Sequence, residues 1–432
     1  MKTHRTCLTA AVSLHLVAGF SIAADLIVEE NGVLPNYATI QSAVNAANPG
    51  DRIFVKNKAG NVPYNETITI DRPVELLSHA PDGVFYVFGG YSIVPNSAMF
   101  TGPGGTIRIV GMYNLSGGVD ASVNNGSGSP IEIAVVNSTF VSGDVNLSGT
   151  GYVSHVAGNH LMSGSVTTRE GLVSGNQVVG SITVNDAGTV TSGDDTMYVV
   201  GNRVCTAAGG FAPGGIVWNN PVHYLHLANN HVRSTAADLI VINNLHGGPL
   251  MNQICNNSCE TGTSATLNTG IRIGITVPST ARLLIASNAL LDSFSGDDAG
   301  TTECAIQFAA GVAAGAQVDV VSNVHKDWET GLSNASAAAV SFAGNGTGGG
   351  AFNPNDISGA CTDASCINTG HPGTDHTDHD LTRNDVGTAG GSFNLNNFWP
   401  NQTGSARVYL VKTPRTVVQS STINAKADSY DR

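Results

Sequence analysis

The sequence predicts an all-β solenoid, and three observations carry that expectation. The first is a tag of two apolar residues, a small residue and Asn that recurs through the middle of the chain. It reads Val135-Val136-Asn137, Val156-Ala157-Gly158-Asn159, Val173-Ser174-Gly175-Asn176 and Val199-Val200-Gly201-Asn202. It continues as Leu227-Ala228-Asn229-Asn230, Ile285-Ala286-Ser287-Asn288, Val320-Val321-Ser322-Asn323 and Phe342-Ala343-Gly344-Asn345. Outside the stretch from Asn230 to Asn288, successive tags lie 17 to 35 residues apart, the interval of one coil in a stacked β repeat. The second is composition: 52 of 432 residues are Gly and only 12% are charged, which suits a chain that turns at every corner and stacks its interior. The third is the absence of any helical apolar period between the tags. Stacking makes each coil depend only on its neighbours, so this length is expected to form one rod of about nine coils, roughly 45 Å long at a strand spacing of about 4.8 Å.

Taken in order, residues 1–24 read as a secretory signal. Lys2 and Arg5 precede an apolar stretch from Leu8 to Phe20, and Ser21-Ile22-Ala23 is a small-x-small cleavage site. No other apolar run approaches the length of a membrane span, so no membrane span is expected. Without the leader the chain keeps 17 basic against 32 acidic residues. That balance argues against nucleic acid and anionic membranes as partners, and against a basic groove for polyanionic polysaccharides unless calcium bridges the contact. The export signal places the protein outside the cytoplasm, secreted, periplasmic or at the cell surface.

Thr39-Ile40-Gln41-Ser42-Ala43-Val44-Asn45-Ala46-Ala47 sets Ile40, Ala43, Val44 and Ala47 on one helical face, and Asn48-Pro49-Gly50-Asp51 ends the helix. A strand, Arg52-Ile53-Phe54-Val55, and the stretch Tyr64-Asn65-Glu66 follow. This run resembles the opening of right-handed parallel β-helix proteins of the pectin-lyase-like superfamily, in which a short helix covers the exposed end of the first coil. The resemblance implies a right-handed parallel β-helix over residues 25–350, with the helix as its N-terminal cap. It also implies a fold that hosts lyases, hydrolases, adhesins and structural rods alike, and so leaves function open.

Within the coils, the recurrence of the tag predicts that its Asn residues stack at one corner and bond to each other and to turn backbone. Strand alternation directs His226, Arg272, Gln307 and Asp319 outward from their strands. Three fragments resemble the polygalacturonase family on this fold: Ser192-Gly193-Asp194-Asp195, His246-Gly247-Gly248 and Gly270-Ile271-Arg272-Ile273. The resemblance implies Asp194 and Asp195 as the acid and base of an inverting hydrolysis, with His246 and Arg272 beside them. The sequence departs from that family where Leu245 precedes His246 and where Gly274 stands in place of Lys. The four residues are expected on different faces of the rod.

Residues 351–432 form a Cys- and His-rich loop and a C-terminal cap after the glycine run 344–350. Six cysteines remain after export, Cys205, Cys255, Cys259, Cys304, Cys361 and Cys366, an even number that predicts disulfides, with Cys361–Cys366 the shortest loop and no thiol left free. A zinc pair at Cys255 and Cys259 is the other reading. Asp375, His376, Asp378, His379 and Asp380 supply oxygen and imidazole ligands in six residues and are the candidate metal site, with Ca²⁺ as the candidate ion. The continuation through Asp380, Arg383, Asp385 and Gly387 resembles a closure found near the end of many secreted bacterial β-helix proteins. That resemblance implies a C-terminal loop in which Arg383 pairs with acidic neighbours. Strands are expected at 406–411 and 416–419, packed on the last coil.

Two function classes follow. One is a non-catalytic extracellular or envelope protein that uses the rod as a binding or structural surface, with a polysaccharide or cell-surface component as partner. The alternative is a polysaccharide-degrading hydrolase or lyase. Aromatic residues make up only 6% of the chain, and Trp218, Trp328 and Trp399 are scattered, which favours the first.

Overall fold

The computed structural model describes residues 23–79, 87–100, 105–126, 129–190, 195–206, 208–236, 238–262, 269–293, 303–348 and 364–373, together with 376–378, 380, 382–391, 393, 395, 398, 406–412 and 426–431. Residues 1–22 of the leader, Cys7 among them, therefore lie outside the described residues, as do Asp194, Cys361, Asp375, His379, Trp399 and the expected strand 416–419.

The chain is a right-handed parallel β-helix of three long sheets, with 13, 12 and 11 strands. One coil shows the plan: Ile131–Val136 lies in the first sheet, Thr139–Phe140 in the second and Val145–Asn146 in the third, and Tyr152–Ala157 then returns to the first. Stacking is in register, with Ile131 over Tyr152 and Val136 over Ala157. Thirteen strands in one sheet make a rod of roughly 58 Å at about 4.8 Å per strand, longer than the nine coils expected. The tag undercounts because the coils before Ile131 do not carry it, and because Ile254-Cys255-Asn256-Asn257 fills its gap with Asn in the small position. Alternate side chains point inward and form one continuous core along the rod, including Ile53, Ile109, Val135, Val173, Leu227, Ile254 and Ile285. His226, Arg272, Gln307 and Asp319 point outward as alternation predicts.

The helix Ile40–Ala46 buries Ile40, Ala43 and Val44, and Ala47 is buried just after it. Two carboxylates from the motifs that follow the helix hold its two ends. Glu66 accepts from the amides of Ile40 (2.8 Å) and Gln41 (2.9 Å), filling donors that a helix start leaves open. Asp51 accepts from the amides of Ala24 and Asn48, both at 2.7 Å, and so ties the turn after the helix to the first strand.

At the first corner, between the first and second sheets, the tag resolves into two positions. Its small residue takes a left-handed backbone, with φ +66° at Gly158, +61° at Gly175, +64° at Gly201, +55° at Asn229, +57° at Asn256 and +58° at Ser287. This conformation suits Gly or Asn, so the residue type is set by the corner. The Asn that follows turns inward and joins a ladder running through Asn159, Asn176, Asn202, Asn230, Asn257, Asn288, Asn323 and Asn345. Each side-chain amide nitrogen donates to the next Asn oxygen at 2.9–3.0 Å. The same oxygen also accepts the backbone N–H of the Asn one coil below. Asn137 proves to be the left-handed residue of its coil, with φ +49°, and Ser138 takes the ladder position.

The described residues between Cys366 and Phe398 lie along the first corner on the outside of the rod and run back against the direction of stacking. Cys366 and Val386 pack on Ala289 and Val324, while Phe398 packs on Leu172, Val200 and Ala228. Further on, Ala406–Lys412, where a strand was expected, pairs antiparallel with Lys426–Asp431.

The cysteines depart from expectation. Cys205, Cys255, Cys259 and Cys304 are free and buried, and no bridge joins two of the described cysteines. Cys366 is disulfide-bonded, while Cys361 lies outside the described residues. Cys259 points into the main core, whereas Cys255 packs with Leu284 and Ala286 on the outer side of the first sheet, so the two do not form a zinc pair. Burial pushes the thiol of Cys255 up to about 12 and that of Cys304 up to about 11, and it raises Cys205 and Cys259 as well. Thiolate is the reactive form, so native protein at pH 8 is expected to resist maleimide, and the same protein unfolded without reductant to take up four labels. Fast labelling of any of the four in the native state would contradict this placement.

Candidate binding face

The outer face of the third sheet is lined by short polar side chains in register. Thr69 stacks under Ser92, Ser92 under Asp120, Asp120 under Asn146, Asn146 under Thr167 and Thr167 under Thr183. Val217 and Val241 interrupt the row before Arg272, Gln307 and Ser333 complete it. Strands of this sheet are only two or three residues long in the lower coils, so each presents one outward residue and the row is straight.

A hollow of about 480 Å³ opens in the lower part of this face. Two features of the sequence make it. Gly90 and Gly118 remove the side chains of the row nearest the second corner, and Ser92, Asp120 and Asn146 are all short. Gly118 is required there by packing, because a Cβ would fall 1.7 Å from the carbonyl oxygen of Asp144 in the next coil. The hollow is lined by Thr67, Ser92, Asp120, Ser122, Asp144 and Asn146 among others, and among the described residues no Lys, Arg or His lines it. Asp120 accepts from the amide of Ser122 (3.2 Å) and from Asn146 (3.3 Å), and Asp144 accepts from the amide of Ser165 (2.7 Å). These bonds engage one oxygen of each carboxylate. The other oxygens, with the hydroxyls of Thr67 and Ser92, make a surface rich in acceptors and of negative sign. Chemically, such a surface can receive hydroxyl, amide and ammonium groups.

Sequence reasoning missed this face. Its signal was the outward residue of each short strand, which only becomes legible once the strands of the third sheet are placed.

The residues singled out from the sequence fall elsewhere. Asp195 is exposed at the third corner, between the third and first sheets, and its carbonyl accepts the amide of Tyr224 at 2.7 Å. His246 lies at the same corner, where its Nδ1 donates to the carbonyl of Pro221 at 2.9 Å. The Tyr224 ring meets the His246 ring edge-on at 4.5 Å. Arg272 stands on the open face of the third sheet, paired with Asp238 at 2.7 Å. Asp195 and His246 thus share a corner across Tyr224, and Arg272 is not part of it. Asp194 lies outside the described residues.

No protein-family model, curated protein or solved structure matches this chain.

In the candidate metal stretch, Asp378 accepts the amides of Asp385 (3.0 Å) and Gly391 (2.6 Å), and Asp380 accepts the amide and hydroxyl of Thr382. Burial, with Asp385 and Asp380 nearby, holds the Asp378 carboxyl above the usual carboxylate range, and the Thr382 bonds hold Asp380 below it. The His376 ring meets that of His371 at a tilt of 57°, with centroids 4.4 Å apart. Among the described residues no group of three His, Cys, Asp or Glu side chains is placed to hold a metal ion. Arg383 donates to the carbonyls of Gly370 (2.8 Å) and Thr369 (3.0 Å) in place of the acidic partners expected, because it closes the loop that precedes it.

Proposed function

We propose that this is an exported, non-catalytic β-helix protein that binds a polysaccharide or surface glycan on the outer face of its third sheet. The observation that carries the reading is the row from Thr69 to Thr183, hollowed beside Gly90 and Gly118. Short hydroxyl, amide and carboxylate groups repeated at strand spacing match the dense hydroxyls of an extended glycan, and they allow many weak contacts to add along the polymer. The absence of a cation in the lining favours a neutral or amino-sugar polymer over a uronic acid polymer.

Affinity electrophoresis in gels cast with a neutral glucan, chitosan or polygalacturonate tests the reading. Retardation by the glucan or chitosan is expected, and little by polygalacturonate. Ser92→Trp fills the hollow and Asp120→Ala removes a carboxylate, and each is expected to weaken binding about tenfold, the equivalent of about 1.4 kcal/mol. Absence of retardation, or retardation unchanged in both variants, would refute the reading. A polysaccharide hydrolase is the second reading, supported by the shared corner of Asp195 and His246. In the same gels it would reveal itself by clearing of polymer that Asp194→Asn abolishes.

A further inference from the structure

The segment that returns along the first corner makes a different contact at each coil it passes, and the left-handed residue of that coil decides which. Ser287 offers its hydroxyl to the amide of His371 (2.8 Å) and its carbonyl to the amide of Gly387 (2.7 Å). Asn256 donates to the carbonyl of Asp385 (2.7 Å) and exchanges side-chain bonds with Asn384 (3.0 and 3.2 Å). Asn229 donates to the carbonyl of Gly390 at 2.6 Å. The next two coils carry Gly201 and Gly175, and there the Phe398 ring takes the space. A Cβ would lie 2.2 Å from it at Gly201 and 2.9 Å at Gly175. The corner therefore carries Asn or Ser where the backbone of the segment passes and Gly where its aromatic anchor sits.

In a solenoid each coil bonds to its neighbours, so coils open locally and fray from an end with little communication along the rod. A segment bonded at once to the coils of Gly175, Gly201, Asn229, Asn256, Ser287 and Val324 changes that rule. Opening any one of these coils strains contacts made to the other five. We propose that residues 366–398 act as a longitudinal clamp, anchored by Phe398, that makes these six coils open as a single cooperative unit. The clamp also covers the first corner of these six coils.

Native-state hydrogen exchange of the full chain, read by mass spectrometry, tests the clamp in Phe398→Ala against wild type. Protection is expected to fall about tenfold across all strands of the clamped coils, including Gln317–Val321 at the far end, while Asp25–Val28 and Arg52–Val55 keep theirs. A fall confined to Gly171–Ser174, Thr196–Val200 and Tyr224–Ala228, the strands beside the ring, would overturn the proposal, as would no change. If Phe398→Ala does not accumulate folded, Gly175→Ala displaces the same ring and is read by the same criterion.

Discussion

Replacing Asn230 by Asp is expected to lower stability by about 4 kcal/mol. Asn230 is fully buried and uses every hydrogen-bonding position of its amide. Its oxygen accepts from the backbone (3.1 Å) and the side chain (2.9 Å) of Asn202. Its nitrogen donates to the carbonyl of Val199 (2.8 Å) and to the oxygen of Asn257 (3.0 Å). Asp keeps the accepting oxygen and turns the other toward two acceptors. Each buried group left without its partner costs about 1–3 kcal/mol, and the buried charge adds to that. The lesion has a pH signature. Burial raises the carboxyl pKa of the variant above its unfolded value, so protonation favours the native state and the deficit shrinks as pH falls. Urea unfolding at neutral and acid pH checks both points, and a loss below about 1 kcal/mol at neutral pH would show that the ladder contributes little.

Gly118→Ala is expected to cost about 3 kcal/mol or to prevent folding, and to close the hollow on the third sheet with it. The added methyl would stand 1.7 Å from the Asp144 carbonyl oxygen and 2.6 Å from its nitrogen. Overpacking of a well-packed core commonly costs about 1–3 kcal/mol, and here the obstacle is backbone already paired in register with its neighbours, so relief requires the coils to separate. Gly126→Ala is the control, since nothing lies within 4 Å of its added Cβ. Thermal unfolding of the two variants should therefore diverge sharply. Equal melting temperatures would mean that the second corner yields more easily than its packing suggests.

The two halves of the tag show how far local chemistry reaches. That Asn residues stack at one corner was legible from their recurrence, because a buried amide in a repeating strand end has only the amide above and below to satisfy it. Which residue of the tag does the stacking was not legible at Asn137, where Ser138 carries the ladder. Nor was it legible that the Asn at positions 229 and 256 faces outward to hold another segment. Gly and Asn both tolerate the left-handed corner, so the sequence pattern alone does not separate a residue chosen for its backbone from one chosen for its side chain. The cysteines illustrate the same point. An even count in a chain with an export signal suggested bridges, yet four thiols are buried at unrelated positions of the coil and serve as small apolar side chains.

By itself, the sequence determined the architecture: the repeat, the helical cap and the outward sense of His226, Arg272, Gln307 and Asp319 follow from local periodicity and from the conformational limits of Gly, Asn and Pro. Only the tertiary structure decided the functional geography. The row from Thr69 to Thr183 joins residues of six different coils, and the contact of Phe398 with Gly175 joins positions far apart in the chain. Such contacts depend on how many residues each coil spends on its turns. Those lengths vary from coil to coil, so the register that brings the residues together exists only once the coils are stacked.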